Sequence, residues 1–382
     1  MPANVMDQWL NSGKKAAVGQ MLLRPREHTI LRGMPLSVQR GQAEAFCLEG
    51  QSGDVWFLKK FYDGRRPDRS YLEGTSRAVP HESAFRAATE RSVLTGSDLK
   101  RSFRTYYNRA FAKWLHDTLL MPCVSGTDWS ALADDIRNGD IALDTEHRAQ
   151  MASNLAATVA LLEQSECAHR DLSSGNVFVN TSDLTVNLID FDSLYHPTLS
   201  IPNATTCGTV GYVASFVWKN GSTDASETWC QQADRFSLAI LTAEFLVLDR
   251  GAPITADGGM CDQDEIARRS GPGLSQIRKQ LQHVWKEAVP LYDSALTSQS
   301  FQNCPSPADW IECLSGRGIP TPVPISDLVG PTAEDFATVF AKLGPTEPVC
   351  QAPSLAELPA PSIQPPSQKE TYVELPPNPW DA

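Results

Sequence analysis

The chain has 382 residues, 41% hydrophobic and 20% charged, enough to bury a large core in about two or three domain-sized units. Its formal net charge of −12 argues against sequence-independent binding to nucleic acid or to an anionic membrane, since both need a basic face. Nine scattered cysteines with no Cys-x-x-Cys pair fit reduced thiols better than a disulfide frame or a zinc site. Met1 to Leu23 lacks the apolar core of a signal peptide, and the longest apolar run, Phe236 to Leu248, falls short of the ~20 residues of a membrane span. A soluble cytoplasmic protein is expected, with neither membrane nor nucleic acid as partner.

Residues 1–35 carry mixed signals and no motif, and are expected as an N-terminal extension. Leu36 to Gln39, Ala45 to Leu48 and Val55 to Leu58 read as strands, with Gly50-Gln51-Ser52-Gly53 as a hairpin turn. Side chains alternate along a strand, so Lys59 and Lys60 face opposite ways. The Arg-, Gly- and Pro-rich segment Asp63 to Pro80 reads as a long insert. Ala84 to Leu94 reads as a helix, with Phe85, Ala88, Val93 and Leu94 on one face and Glu90 on the side of Val93 and Leu94. Tyr106 to His116 is a second amphipathic stretch, followed by the apolar run Leu119 to Val124 and Gly126. Asp144 can cap a helix running to about Glu166, striped by Met151, Leu155, Val159 and Leu162.

Three polar anchors follow on short loops: His169-Arg170-Asp171, Asn176 and Asp190-Phe191-Asp192. Val177 to Val179 and Val186 to Ile189 read as strands joined by the turn Thr181-Ser182-Asp183. Such a hairpin brings Asn176, where it begins, close to Asp190, where it ends. Two oxygen donors at one end of a rigid ribbon suit Mg²⁺, which takes one or two carboxylates beside phosphate oxygens and water. Asp171 could face the same spot as a base. Further on, Asp234 reads as a helix N-cap before the apolar face of Leu238, Leu241, Phe245 and Leu248. Ser306-Pro307 starts a last helix that Gly316 ends.

His169-Arg170-Asp171-Leu172 with Asn176, followed by Asp190-Phe191-Asp192, resembles the H-R-D-L-x-x-x-N and D-F-G motifs of the protein-kinase-like superfamily. The resemblance implies an α+β, two-lobed protein-kinase-like fold of divergent bacterial type. A small β-rich N-lobe would cover 36–120 and a larger, mainly helical C-lobe 121–325. A helical extension at 326–343 and a Pro-rich disordered tail at 344–382 would follow. It implies ATP and Mg²⁺ as cofactors, with Asn176 and Asp190 on the metal and Asp171 as the base. Arg170 and Ser173 complete the catalytic loop. Lys59 would contact the phosphates, Gly41 would remain from the phosphate-covering loop, and Met121 to Cys123 would meet adenine through backbone groups. Glu90 would pair with Lys59, with Glu82 and Glu73 as runners-up.

The chain departs from the superfamily's pattern at several points. Only Gly41 stands where three glycines are usual. Ser173 replaces a lysine, and Asp192 replaces the glycine of D-F-G. Gly208-Thr209-Val210-Gly211-Tyr212-Val213-Ala214-Ser215-Phe216 resembles the end of an activation segment, with Thr209 expected near Asp171. Phe216 stands in place of a glutamate there, and Cys304 in place of its arginine partner. Loss of both charges together can be nearly neutral, whereas losing one strands the other. The resemblance gives Asp234 a second role, binding backbone amides of the catalytic loop.

The expected activity is ATP-dependent phosphoryl transfer to Ser/Thr hydroxyls of a protein substrate. An inactive nucleotide-binding scaffold and a small-molecule kinase are the alternatives. Tyr372 and Trp380 in the Pro-rich tail form a candidate partner-docking motif.

Overall fold

The computed structural model describes residues 5–18, 21–39, 41–95, 107–203, 208–218, 224–253, 255 and 259–319. All belong to one unit, Met1–Leu343. The extension expected at 326–343 and the tail expected from Gly344, with Tyr372 and Trp380, lie outside the described residues.

The N-terminal lobe contains helix α1 (Val5–Asn11), strands β1 (Ala16–Val18), β2 (Met21–Pro25), β3 (Ser37–Gln39), β4 (Ala43–Glu49) and β5 (Val55–Phe61), helices α2 (Arg69–Ala78) and α3 (Arg86–Thr89), strand β6 (Ser92–Val93), helix α4 (Tyr107–Leu115) and strand β7 (Leu119–Pro122). Its antiparallel sheet runs β1-β2-β4-β5-β7-β6, with β3 also paired to β4. β2 and β3 behave as one interrupted strand along β4. Arg26 donates its amide to the Cys47 carbonyl, Cys47 donates to Leu36, and residues 27–35 loop out between them. The β4–β5 hairpin forms as its turn chemistry predicts. Gly53 takes φ +87°, a conformation open to glycine without a Cβ penalty.

Three expectations are corrected here. Residues 1–35 are not an appendage: Met6, Trp9, Ala16 and Leu23 share a buried core with Phe46, Leu48, Leu58 and Phe111. Elements this short have no stability of their own and form by packing, so they leave little periodic trace. The segment 63–80 is not merely an insert either. It holds α2, which buries Tyr71, Leu72 and Thr75 at helical spacing. The helix expected over 84–94 is instead a 3-10 turn, Ser83–Phe85, then α3, which ends at Thr89 before β6.

The C-terminal lobe contains β8 (Thr127–Asp128), α5 (Trp129–Asn138), α6 (Thr145–Gln164), β9 (Val177–Val179), β10 (Val186–Leu188), α7 (Arg235–Val247), α8 (Gln263–Arg268), α9 (Pro272–Val284), α10 (Val289–Thr297) and α11 (Pro307–Ser315). Asp144 caps α6 by accepting from the His147 amide at 2.8 Å. The predicted stripe is fully buried, yet every residue from Arg148 to Ala156 is buried as well, because α6 is packed by both α7 and α11. α7 is likewise buried almost all round. Trp129 meets Phe245 edge to face at 4.1 Å. Ser306 and Asp309 close a capping box at the start of α11.

This is the two-lobed α+β architecture that the resemblance implies. Among the described residues no helix is long and apolar enough to cross a membrane. The described cysteines, such as Cys47, Cys123 and Cys304, are free thiols.

Candidate active site

The catalytic hairpin is β9 against β10, with Val177 opposite Leu188 and Val179 opposite Val186. Its turn is held by Asp183, whose carboxylate accepts from the amide of Thr185 at 2.9 Å. The Ile189 amide donates to the Asn176 carbonyl at 3.1 Å, so Asn176 and Asp190 sit beside the same closing bond. Asn176 Nδ2 in turn donates to the Asp171 carbonyl at 2.8 Å. That bond uses the amide nitrogen and leaves the amide oxygen as the atom suited to a cation. The three anchors read from the sequence therefore meet in one place.

The backbone is strained here. Arg170 has φ +67° and Asp190 φ +64°, left-handed conformations that cost a non-glycine residue roughly 1–2 kcal/mol each. Surrounding bonds hold both residues. The Asp234 carboxylate accepts from the amides of His169 at 2.6 Å and Arg170 at 2.7 Å. It makes no side-chain cap bond to α7, so of the two readings for this residue the backbone-binding one applies. Arg170 Nε and Nη1 donate to the carbonyls of Thr228 at 2.9 Å and Ser193 at 2.8 Å. Its Nη2 donates to the Ala225 carbonyl at 3.0 Å and the Thr228 hydroxyl at 2.6 Å, and the guanidinium stacks 4.7 Å over Trp229.

His169 joins the two motifs. Its Nε2 donates to the Ile189 carbonyl at 2.7 Å, and its Nδ1 accepts from the Asp171 amide at 3.3 Å. Its ring packs on Phe191 at 4.8 Å, and Phe191 packs on Phe85 at 6.1 Å. Phe191 is thus buried between the lobes. Asp171 Oδ1 accepts from the Thr209 hydroxyl at 2.7 Å. Burial pushes the Asp171 carboxyl up to about 6, against the opposing pull of the Thr209 bond, a value suited to a proton acceptor near neutrality. Ser173 is buried in the same loop, its carbonyl accepting from the Asn176 amide at 3.0 Å.

Lys59 reaches this cluster from β5. Its Nζ donates to Asp190 Oδ1 at 2.7 Å and to Asp192 Oδ2 at 2.6 Å. Burial pulls the ammonium down, but the two carboxylates prevail and hold it above its ordinary range. Burial also lifts the Asp190 carboxyl, and Lys59 overrides this, leaving it below the usual carboxylate range. Lys60 points the other way, donating to the Trp114 carbonyl at 2.5 Å.

The expected partner of Lys59 is corrected. Glu90 lies beyond the end of α3 and is bound by Arg86 through two bonds of 2.7 and 2.9 Å. Glu73 on α2 is bound by Arg69 at 2.7 Å. The acid that meets Lys59 besides Asp190 is Asp192, and its other oxygen takes Arg91 Nη1 at 3.1 Å. The sequence reading placed Glu90 by its apolar neighbours; with the helix ending at Thr89, that register does not extend to it. The signal for Asp192 was a side chain where the motif normally has none.

The nucleotide-facing expectations fall as follows. Gly41 sits in the β3–β4 turn, where an added Cβ would meet nothing within 4 Å. Met121 stands opposite Phe57 in the β5–β7 ladder. The Cys123 amide is already donated to the Val55 carbonyl at 3.0 Å, so it cannot serve adenine without breaking a strand bond. Gly126, just beyond, has φ +98°, and a Cβ there would lie 2.5 Å from the Val179 backbone.

The end of the activation segment replaces its missing ion pair with other contacts. Phe216 packs edge to face on Phe301 at 4.9 Å, and Cys304 is buried nearby. Gln263 accepts from the amides of Gly211 at 3.0 Å and Val213 at 3.3 Å, and donates to the Val213 carbonyl at 2.8 Å. The Tyr212 hydroxyl donates to buried Glu244 at 3.0 Å, and Arg269 donates to the Ser215 hydroxyl at 3.0 Å. Sequence reasoning missed Gln263, Glu244 and Arg269, because none belongs to a short motif.

The residues present fit a magnesium ion. A depressed carboxylate, Asp190, and an amide oxygen, Asn176, form the sparse all-oxygen donor set that this ion shares with phosphates. Among the described residues no group of three or more His, Cys, Asp or Glu side chains forms a denser metal cage.

The family model for the protein kinase domain matches residues 77–301, over half of the chain. The chain belongs to the protein kinase family, whose general chemistry is phosphoryl transfer from ATP with Mg²⁺. The match begins after β5, so Lys59 joins the site by geometry and not by the family match. Curated proteins give no match to the chain.

Proposed function

We propose that this protein is an active kinase that transfers the terminal phosphoryl group of ATP to Ser or Thr hydroxyls of a protein substrate. The observation that carries the reading is the convergence of Asp171, Asn176, Asp190 and Lys59 on one spot. Asp171 takes the proton of the attacking hydroxyl. An aliphatic hydroxyl, that of Thr209, already rests on its carboxylate at 2.7 Å. Lys59 neutralises phosphate charge from the N-terminal lobe. Asp190 and Asn176 are the residues that would hold Mg²⁺, which when bound offsets charge on the phosphates. Catalysis of this kind is mainly positioning and charge neutralisation.

The test is incorporation of labelled phosphate from ATP with Mg²⁺ into the protein itself and into dephosphorylated casein. Asp171→Asn is expected to lower the rate about 100-fold or more, the range of general-base loss. Equal incorporation by both proteins defeats the role of Asp171. A nucleotide-binding scaffold is the second reading, favoured by the single glycine of the phosphate loop and by the engagement of Asp190 with Lys59. Stabilisation by ATP with no turnover under any condition would select it.

A further inference from the structure

In kinases the lysine of the N-terminal lobe needs a carboxylate partner on a mobile helix before the site is competent. No such acid is presented here by α2 or α3, because Glu73 and Glu90 are bound to arginines of their own segments. Resting on the kinase reading above, the geometry points to Asp192 as the residue that positions Lys59 for the phosphates, in place of a helix glutamate.

Asp192 is built into the fold. Its side chain is 5% exposed, and both oxygens are used, one by Lys59 at 2.6 Å and one by Arg91 at 3.1 Å. Arg91 is itself 2% exposed in its side chain. It donates to the Leu72 carbonyl at 2.9 Å and the Ser76 hydroxyl at 3.1 Å, both on α2. Lys59, Arg91, Asp190 and Asp192 thus form a set of two cations and two anions in which Arg91 and Asp192 are buried and Asp190 keeps a side chain 34% exposed, and removing a buried member of such a set is strongly destabilising. When a cation takes Asp190, Asp192 remains as the carboxylate that fixes Lys59.

The arrangement has a structural logic. Asp192 lies in the 3-10 turn Phe191–Ser193, two residues from Asp190. The acid that orients the lysine and the acid suited to the metal are therefore delivered by the same turn, and they arrive or leave together. Helix α2 reaches the turn through Arg91 and through Tyr71, whose hydroxyl donates to the Leu194 carbonyl at 2.6 Å, so a displacement of α2 presses on the turn but does not withdraw the acid itself. This removes the helix as the carrier of the ion pair and keeps it as a brace.

The experiment compares Asp192→Asn, Glu90→Gln, Glu73→Gln, Lys59→Met and the pair Asp192→Asn with Lys59→Met, reading kcat and KM for ATP. Asp192→Asn is expected to lower kcat/KM for ATP by about 100-fold, the loss that misplacement of a reacting group brings. The two glutamate variants stay within about twofold of wild type, as surface changes do. In the Lys59→Met background Asp192→Asn adds little, because the two residues act as one unit. A merely structural aspartate would give additive losses, and additive losses overturn the assignment. So does a loss in Glu90→Gln that equals the loss in Lys59→Met.

A second measurement does not need turnover. Acetylation of Lys59 by acetic anhydride, read by mass spectrometry in the nucleotide-free protein and normalised to Lys60, should rise several-fold in Asp192→Asn. Unchanged labelling overturns the proposal even if the wild type transfers no phosphate, an outcome that would by itself defeat only the kinase reading. If Asp192→Asn does not fold, the charge-balanced pair Arg91→Met with Asp192→Asn is expected to show the same labelling increase, and its absence is equally fatal.

Discussion

The Thr209 hydroxyl donates a hydrogen bond to Asp171 Oδ1 at 2.7 Å, tying the activation segment to the residue read as the base. Burial holds the Asp171 carboxyl at about 6, and the Thr209 bond pulls against that rise. The ionised form is the working form, so activity should be present above about pH 6 and fall as pH drops through that value. Thr209→Val removes the bond that favours the anion. The acid limb of the kcat/KM profile should therefore move to higher pH, with a large loss at pH 6 and a small one at pH 8. A profile whose acid limb is unmoved by the substitution contradicts the assignment.

Asp234 carries the shape of the catalytic loop. Asp234→Ala leaves the buried amides of His169 and Arg170 without their acceptor. Hydrogen bonds to a charged group contribute about 1.5–3 kcal/mol each, so a loss of about 3 kcal/mol or more is expected in denaturant unfolding. Asp234→Asn should lie between, since its amide offers one acceptor oxygen and not two.

Arg170 is saturated by three backbone carbonyls, a hydroxyl and Trp229. Kinases that use an arginine in this loop as a phosphate receptor leave it exposed until the activation segment is modified. Here phosphatase treatment of the purified protein should leave the rate of phosphoryl transfer unchanged. Arg170→Met should lower the melting temperature, because the Ser193, Ala225 and Thr228 carbonyls each lose a hydrogen bond from the guanidinium.

Gly126 is expected to tolerate no side chain. Its φ of +98° and the 2.5 Å approach of an added Cβ to Val179 combine backbone strain of about 1–3 kcal/mol with a clash against strand backbone. Gly126→Ala should show a clear drop in melting temperature, whereas Gly41→Ala, with open space around it, should fold normally.

Much of this architecture could be read from the sequence. The hairpin holding Asn176 and Asp190, the opposed faces of Lys59 and Lys60, and the starts of α6 and α11 all follow from short-range rules. α1, β1 and β2 escaped because each is too short to show a period and exists only by packing on β4 and α4. α2 was hidden in a stretch whose charges and prolines read as loop, although Tyr71, Leu72 and Thr75 carry helical spacing. Glu90 was mistaken for the partner of Lys59 because its choice depended on a helix continuing one turn beyond where it ends. A pairing across 133 positions, Lys59 with Asp192, has no local signature.

The contact of Phe216 with Phe301 changes how this joint can evolve. An ion pair constrains both positions at once, because a change in either strands a charge at about 3–5 kcal/mol. Two rings impose no such lockstep. A swap to another apolar residue of similar volume usually costs less than about 1.5 kcal/mol, so each position can drift singly through Leu, Met or Tyr while the segment beyond Thr209 stays anchored by Gln263 and Glu244.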